Sequence, residues 1–499
     1  MKPTIIYLLS LVILWGCSPQ KTEDQSLPES SVFKHGVASG DPLNDRIIIW
    51  TRVTPVDPNA PVEVDWEFAT DAAFNSILKY GKYTTVSDRD FTVKVDVSGL
   101  NPGTKYYYRF KALGETSVTG KTKTAALYAD SLVFAVVSCS NWEWGYFNAY
   151  GRIADRENLD AVIHLGDYIY EYGIGSGDTT IGRYNDPPHE IITLDDYRTR
   201  YSLYRKDKDL MSVHANHPFI VIWDDHEIAN NSYKTGAQNH QEDEGSYETR
   251  KAIARKVYYE WMPIREGEKL YRKFSFGQLA EVFMLDERLE GRSMQLENIE
   301  DPEYQSTDRS MLGEGQLEWL KTNLSTTEST WKIIGNQVIF TDLDRSLVFP
   351  NRPRNMDSWD GYPAEKRDIA SSIVENKIHD VIWITGDTHS SWAFNTIVEG
   401  VSDKPFAVEF GVTSVSSSNY DERVSIDTVR MAEELYIKGN PHLKYSNLSE
   451  HGYLLLTLSS SRAMAEYYFV DTVRKPSENE SLGFKCMVNS GVPSIKEFN

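Results

Sequence analysis

Between about Phe33 and Lys123 the apolar residues fall in short runs divided by turn-forming residues. RIIIWTRV (Arg46 to Val53), VEVDWEFA (Val62 to Ala69), FTVKVDVSGL (Phe91 to Leu100) and KYYYRFKA (Lys105 to Ala112) are rich in β-branched and aromatic residues. Several alternate with period two, the pattern of strands with one buried face. Asn101-Pro102-Gly103 separates the last two and signals a turn. A leucine, a proline-glycine turn and a tyrosine inside the next strand together predict a tyrosine corner in a small antiparallel sandwich.

Beyond Ala126 the pattern changes. Apolar runs (LVFAVVS, AVIHLGD, FIVIWDD, AEVFMLD, WKIIGNQ, DVIWITGD, FAVEFGVTS and GYLLLTLS) now alternate with longer amphipathic or polar segments. Continuous apolar strands separated by helical connections predict an α/β domain whose sheets are flanked by helices. Ligands in such domains bind at the carboxyl ends of the strands. The tail after Lys475 predicts a loop and a short strand, with no lid helix. In the first region, VSGLNPGTKYYYRF resembles a fibronectin type III strand pair, so that module is expected to serve as spacer or scaffold.

The N-terminus adds a compartment. Lys2 precedes an apolar run from Ile5 to Gly16, shorter than the ~20 residues that span a bilayer, so it reads as a signal peptide. Leu14-Trp15-Gly16-Cys17 resembles a bacterial lipoprotein cleavage site, with Cys17 as the lipidated residue, and the polar stretch after it resembles a tether. The expected plan is a signal peptide and lipobox over 1–17, a tether over 18–31, an all-β module over 32–125 and a catalytic domain over 126–499. Such a protein would be exported to the periplasm or cell surface and held to the membrane by an N-terminal lipid. With 499 residues and 40% hydrophobic content the chain can bury a large core. Its net charge of −21 argues against nucleic-acid binding and means that an anionic substrate must be held by local cations. A monomer is expected.

The chemistry collects at the ends of the apolar runs. One ends at Cys139; another at Asp167, with Tyr170 three residues on; a third at Asp224, Asp225 and His226; a fourth at Gly386, Asp387, Thr388 and His389. A single aspartate after a strand is an ordinary helix cap, but four such ends in one domain suggest a metal centre. A thiolate, a carboxylate, a phenolate and an imidazole are all metal donors, and the phenolate favours a trivalent ion such as iron. Two metals ~3.5–4 Å apart form the usual clamp for in-line phosphoryl displacement. Other roles for Cys139 are weaker. A Cys-x5-Arg phosphatase needs arginine where Gly145 stands, and a papain-like thiol needs a helix start that SNWEWGYF lacks. A disulfide with Cys486 remains open.

SCSN…GYF, VIHLGDYIYEYG, WDDHEIANNSY, WDGYPAE and GDTHSSW occur in this order behind the β module. Together they resemble the PhoD-like alkaline phosphatases, a branch of the calcineurin-like metallophosphoesterases related to purple acid phosphatases. The resemblance runs from about Phe33 to Val473. It implies Fe(III) held by Cys139, the bridging Asp167, Tyr170 and His389. Beside it, Asp387 and donors from the segment containing Asp225, Asn230 and Asn231, with Asp225 and Asn231 favoured, would hold calcium; manganese or zinc are the alternatives. Gly-His-x-His of wider relatives is here Gly-Asp-Thr-His, an oxygen donor for a nitrogen, which favours calcium over zinc. His226 would contact substrate phosphate or protonate the leaving group. Asp357, Trp359 and Asp360 lie in a family-like segment with no evident chemical role.

The expected activity is hydrolysis of phosphomonoesters or phosphodiesters, small or polymeric, by in-line attack of a metal-bound hydroxide, with His226 and Asp167 as catalytic residues. The rivals are a surface binding or adhesion protein on the same scaffold, which would have lost a ligand, and a Mn/Zn nucleotidase.

Overall fold

The structure is a computed structural model and describes residues 30–498. Cys17, the leader and nearly all of the tether lie outside the described residues. Three sheets of ten, seven and five strands carry the fold.

The ten-stranded sheet runs Ile495–Glu497, Glu480–Asn489, Arg462–Val470, Gly452–Ser459, Ser131–Val137, Ala161–His164, Pro218–Val221, Val37–Gly40, Arg46–Arg52 and Thr92–Ser98. Its middle strands Ser131–Val137, Ala161–His164 and Pro218–Val221 are parallel, so their carboxyl ends share one edge. The seven-stranded sheet runs Arg272–Phe276, Ala280–Met284, Trp331–Asn336, Val381–Thr385, Ser402–Gly411, Ser391–Val398 and Leu443–Asn447, with a parallel centre. One apolar cluster joins the two sheets through residues such as Phe134, Ile163, Ile333 and Ile384. Phe134 meets Phe276 edge to face at 5.0 Å.

At the site edge the sheets come closer still. Ser138 forms a parallel bridge with Ser414. A β-carbon on Gly386 would stand 2.9 Å from that of Ser138. Gly166 has φ +108°, and a β-carbon there would lie 2.4 Å from that of Asp224. Only glycine permits this turn and this approach.

The β-rich region packs as two layers. Ile77–Thr85, Val62–Ala69, Lys105–Ala112, Glu115–Thr116 and Gly120–Lys123 form the five-stranded sheet. Its inner residues Phe68, Tyr106, Tyr108 and Phe110 pack on Ile47, Ile49, Val93 and Val97. Tyr106 is buried, and its hydroxyl accepts the Asn101 N–H at 2.9 Å, the tyrosine corner expected of the turn between them.

The second layer of this sandwich is not a sheet of its own. Val37–Gly40 pairs in parallel with Pro218–Val221, so the module and the α/β region share the ten-stranded sheet. Trp50, on the opposite face of its strand, is fully buried against Trp261 and donates from Nε1 to the Glu260 carbonyl at 2.8 Å. The module is therefore built into the scaffold. The tail also differs from its predicted loop: Glu480–Asn489 is a ten-residue strand. Its first four residues are exposed, which hides the alternation that marks a half-buried strand.

Candidate metal centre

Cys139 follows the strand Ser131–Val137 and Asp167 follows Ala161–His164. Backbone bonds tie the two ends together, from Cys139 N–H to the Gly166 carbonyl at 3.1 Å and from Ser140 N–H to the Asp167 carbonyl at 2.9 Å. The side chains converge. Cys139 Sγ lies 3.4 Å from Asp167 Oδ2, and the Tyr170 hydroxyl lies 3.0 Å from the same oxygen and 3.3 Å from His389 Nε2. His389 donates from Nδ1 to the Ser418 carbonyl at 2.8 Å, which leaves Nε2 as its free donor atom toward the cluster.

The backbone is strained where the side chains converge. Cys139, Asp167, Asn231, Asp387 and His389 all have φ between 53° and 61°. Residues without special cause avoid this region, and strain of this kind concentrates at functional sites. Five of the expected ligands share it.

Electrostatics point the same way. Burial pushes the Cys139 thiol well up, with Asp167 adding to the effect. Burial likewise raises Asp167 and Tyr170 well above their usual ranges, and it lowers His389 to about 4. Burial dominates these shifts: among the described residues no arginine or lysine forms an ion pair with Asp167, and the neighbouring His226 opposes its rise only in part. A buried donor set of one S, one N and two O atoms fits a metal ion.

The neighbouring acids are treated differently. Asp224 and Asp225 follow Pro218–Val221, and Asp387 follows Val381–Thr385. Carboxylate oxygens of these three lie within 4.8 Å of one another. Arg288, fully buried, pairs with Asp224 through Nε, with Asp387 at 2.9 Å and with Asp357 at 3.0 Å. Arg292 also donates to Asp357, to Oδ1 at 2.6 Å. Burial still raises Asp224 to about 8 and Asp387 to about 7. Asp225 falls well below the carboxylate range although burial opposes it, because Arg288 and His226 stand nearby. Asp225 accepts the Asn231 N–H at 2.5 Å, while the Asn230 and Asn231 amides both donate to Gln238.

His226 sits between the two groups. Its Nδ1 meets Glu171 Oε2 at 2.6 Å, and its ring lies 4.2 Å from that of Tyr170. Burial opposes its charged form, but Asp225 and Glu171 outweigh burial and hold its pKa well above 6.5. Glu171 is fully buried and also accepts the Asn230 N–H at 2.7 Å and the Asn239 amide at 2.9 Å. Glu227 accepts from the N–H groups of Asp167, Tyr168 and Asp224, clamping two strand ends together.

Cys139, Asp167, Tyr170, Asp225, His226, Asp387 and His389 therefore lie together, while Asn231 reaches them through its backbone N–H and turns its amide to Gln238. Sequence reasoning missed Glu171, Glu227, Arg288 and Arg292. Glu171 and Glu227 stand inside recognised motifs, at Gly-Asp-x-x-x-Glu and Asp-Asp-His-Glu, and could have been asked for as partners. Asp357, named without a role, bridges Arg288 and Arg292. Trp359 is core, donating from Nε1 to Glu287 at 2.8 Å, and Asp360 pairs with Lys366 at 2.6 Å. Cys139 and Cys486 are both buried and unbonded, so no disulfide joins them.

Residues 134–467 match the PhoD-like phosphatase family and residues 16–126 match the PhoD-like phosphatase N-terminal domain. The chain belongs to the PhoD-like phosphatase family. It is 37% identical over 475 residues to alkaline phosphatase D of Bacillus subtilis (strain 168), covering 89% of this chain and 78% of that protein. A solved structure titled "Structure of PhoD" superposes with a TM-score of 0.85 at 34% identity, covering 95% of this chain and 93% of the other.

Proposed function

We propose that this PhoD-like phosphatase is an exported, lipid-anchored phosphoester hydrolase with an Fe(III) site and an adjoining calcium site, and that it is related to the calcineurin-like metallophosphoesterases and purple acid phosphatases. Phosphoester hydrolysis follows from the family. The observation that supports the metal assignment is the meeting of Cys139, Asp167, Tyr170 and His389 at donor distances from one another, with no arginine or lysine paired to them among the described residues. These four would hold iron; Asp167, Asp225, Asn231 and Asp387 would hold the divalent ion. Cations bound there lower the pKa of water and neutralise phosphoryl oxygens.

The chain's own residues supply the rest. His226, fixed at Nδ1 by Glu171, keeps Nε2 for the phosphoryl group or the departing oxygen, and its raised pKa keeps a proton available. Asp167 ties the two halves together. Arg288 holds the carboxylates of Asp224, Asp357 and Asp387 in place and adds positive field beside the reacting group. Division at 125/126, attachment through Cys17 and a monomeric state complete the proposal.

Elemental analysis of protein purified without chelator, read beside 4-nitrophenyl phosphate turnover and visible absorption, tests it. About one iron per chain with calcium and a charge-transfer band is expected. Activity with zinc or manganese alone would overturn the iron site and leave the hydrolase.

A further inference from the structure

Next to His389 lies a cavity of about 600 Å³ that the hydrolytic residues do not fill. Its inner end is Thr388 and His389. One wall is Val348 and Phe349; the other is Val424 with Val429 and Ala432, the last two on the helix Ile426–Gly439. A smaller cavity of about 140 Å³ shares Arg345, Thr388 and Tyr420 with it and reaches Asp387. The space thus begins at two of the expected ligands and runs outward between apolar walls. Leu347, Ile426 and Met431, adjoining these walls in sequence, are aliphatic and exposed.

Two cations stand in this apolar lining. Arg345 lies over the Phe349 ring at 4.7 Å, and Arg423 donates to Ser418 Oγ at 3.0 Å. Neither forms an ion pair with a carboxylate among the described residues, in a chain whose net charge is −21. Arg288, by contrast, pairs with Asp224, Asp357 and Asp387, and Arg292 with Asp357. An arginine left unpaired beside a site for anions is free to bind one.

We propose that this cavity receives the leaving group of the substrate, and that it selects phosphoesters of an apolar, aromatic or long-chain alcohol bearing a second negative charge that Arg345 and Arg423 hold. The inference rests on the hydrolase reading above and adds the substrate class. A pocket mostly apolar, with a few placed polar groups, is how proteins bind such bodies. Apolar fit distinguishes substrates by roughly 10–200-fold, more if a charged partner is also satisfied.

Phenyl phosphate, biphenyl-4-yl phosphate and 4-carboxyphenyl phosphate test it, because their leaving oxygens are chemically alike and their bodies differ. The holoenzyme should show kcat/KM at least about tenfold higher for the biphenyl ester than for phenyl phosphate. Ala432→Trp, which fills the cavity, should bring that ratio to within about twofold. Arg423→Gln and Arg345→Gln should lower the rate with the carboxylated ester about tenfold more than with phenyl phosphate. Should Ala432→Trp fail to fold, inhibition of the natural sequence by biphenyl-4-ylphosphonate against phenylphosphonate replaces it, the first being at least about tenfold tighter. Equal rates and equal inhibition across the series would overturn the cavity assignment while leaving the hydrolase intact. Absence of turnover with phenyl phosphate and every other ester would instead overturn the hydrolase reading.

Discussion

Around Arg288 the carboxylates of Asp224, Asp357 and Asp387 each meet a guanidinium nitrogen, whereas Cys139, Asp167 and Tyr170 next to them meet no arginine or lysine among the described residues, their polar contacts being with one another, His389, Ser417 and the His226 N–H. Both groups are acids withdrawn from solvent, though Asp357 and Asp387 are only partly buried. One is compensated by the chain; the other is left for something the chain binds. The difference separates an electrostatic frame from a receptor. A buried charge without a partner is too costly to keep for packing alone, so the uncompensated half is where an external cation contributes most.

Asp167 belongs to both halves and gives the largest expected effect. Asp167→Asn keeps the shape but removes the charge that two metals would share. We expect kcat/KM to fall by about 10³-fold or more, with iron lost from the purified protein. Full iron content with near-normal turnover would show that the two halves are independent sites.

Arg288→Met breaks the compensated half. Removing one partner from a buried ion-pair cluster costs about 3–5 kcal/mol, and here it leaves Asp224 and Asp387 without their guanidinium while Asp357 keeps Arg292. Denaturant unfolding of metal-free protein should show that loss as a lower midpoint at unchanged slope. Tyr170→Phe in the other half should cost no more than about 1.5 kcal/mol while changing the visible absorption of the iron form. If Tyr170→Phe were the more destabilising change, the comparison would be inverted.

These halves were unequally legible in the sequence. Cys139, Asp167, Asp225 and Asp387 each stand within a few residues of the end of an apolar parallel strand, where a run of Val and Ile makes the next polar residue conspicuous. Arg288 also follows such a strand, Ala280–Met284, but comes third in Asp-Glu-Arg and reads as surface charge. Its burial is decided by acids from three distant strand ends and loops, a non-local fact. The same reason hid the shared sheet: Val37–Gly40 is four residues of VASG, and its partner strand lies far along the chain. By contrast the tyrosine corner, whose partners are Asn101 and Tyr106, is local and was visible.

Glu171→Gln tests the residue that joins the halves through His226. It keeps one hydrogen-bond partner for the imidazole but removes the carboxylate that favours imidazolium. Turnover should fall about 10–100-fold. In metal-free protein the His226 pKa, which now lies above 6.5, should drop when followed by NMR. The sign follows from linkage: a raised histidine pKa adds stability that is full below 6.5 and is lost as pH rises through the folded value, so the variant should lose stability at acidic pH and little above that value. An unchanged titration would mean that Asp225 alone sets the charge of His226.

The smallest expected effect compares the two buried thiols directly. Cys486 faces the core from the strand Glu480–Asn489, paired in register with Ala465, and it belongs to no group of metal-type side chains among the described residues. Its thiol is pushed up to about 12 by burial alone and the nearby Glu497, so it behaves as a small apolar side chain. Cys486→Ala should cost about 1 kcal/mol of unfolding free energy and leave iron content and absorption as they were. Cys139→Ala removes the same number of atoms from an equally buried position, yet it should abolish the iron band. Burial is common to both residues; what separates them is the company of Asp167, Tyr170 and His389. Equal responses of the two variants in iron content would therefore remove the thiol from the metal site, however well the geometry accommodates it.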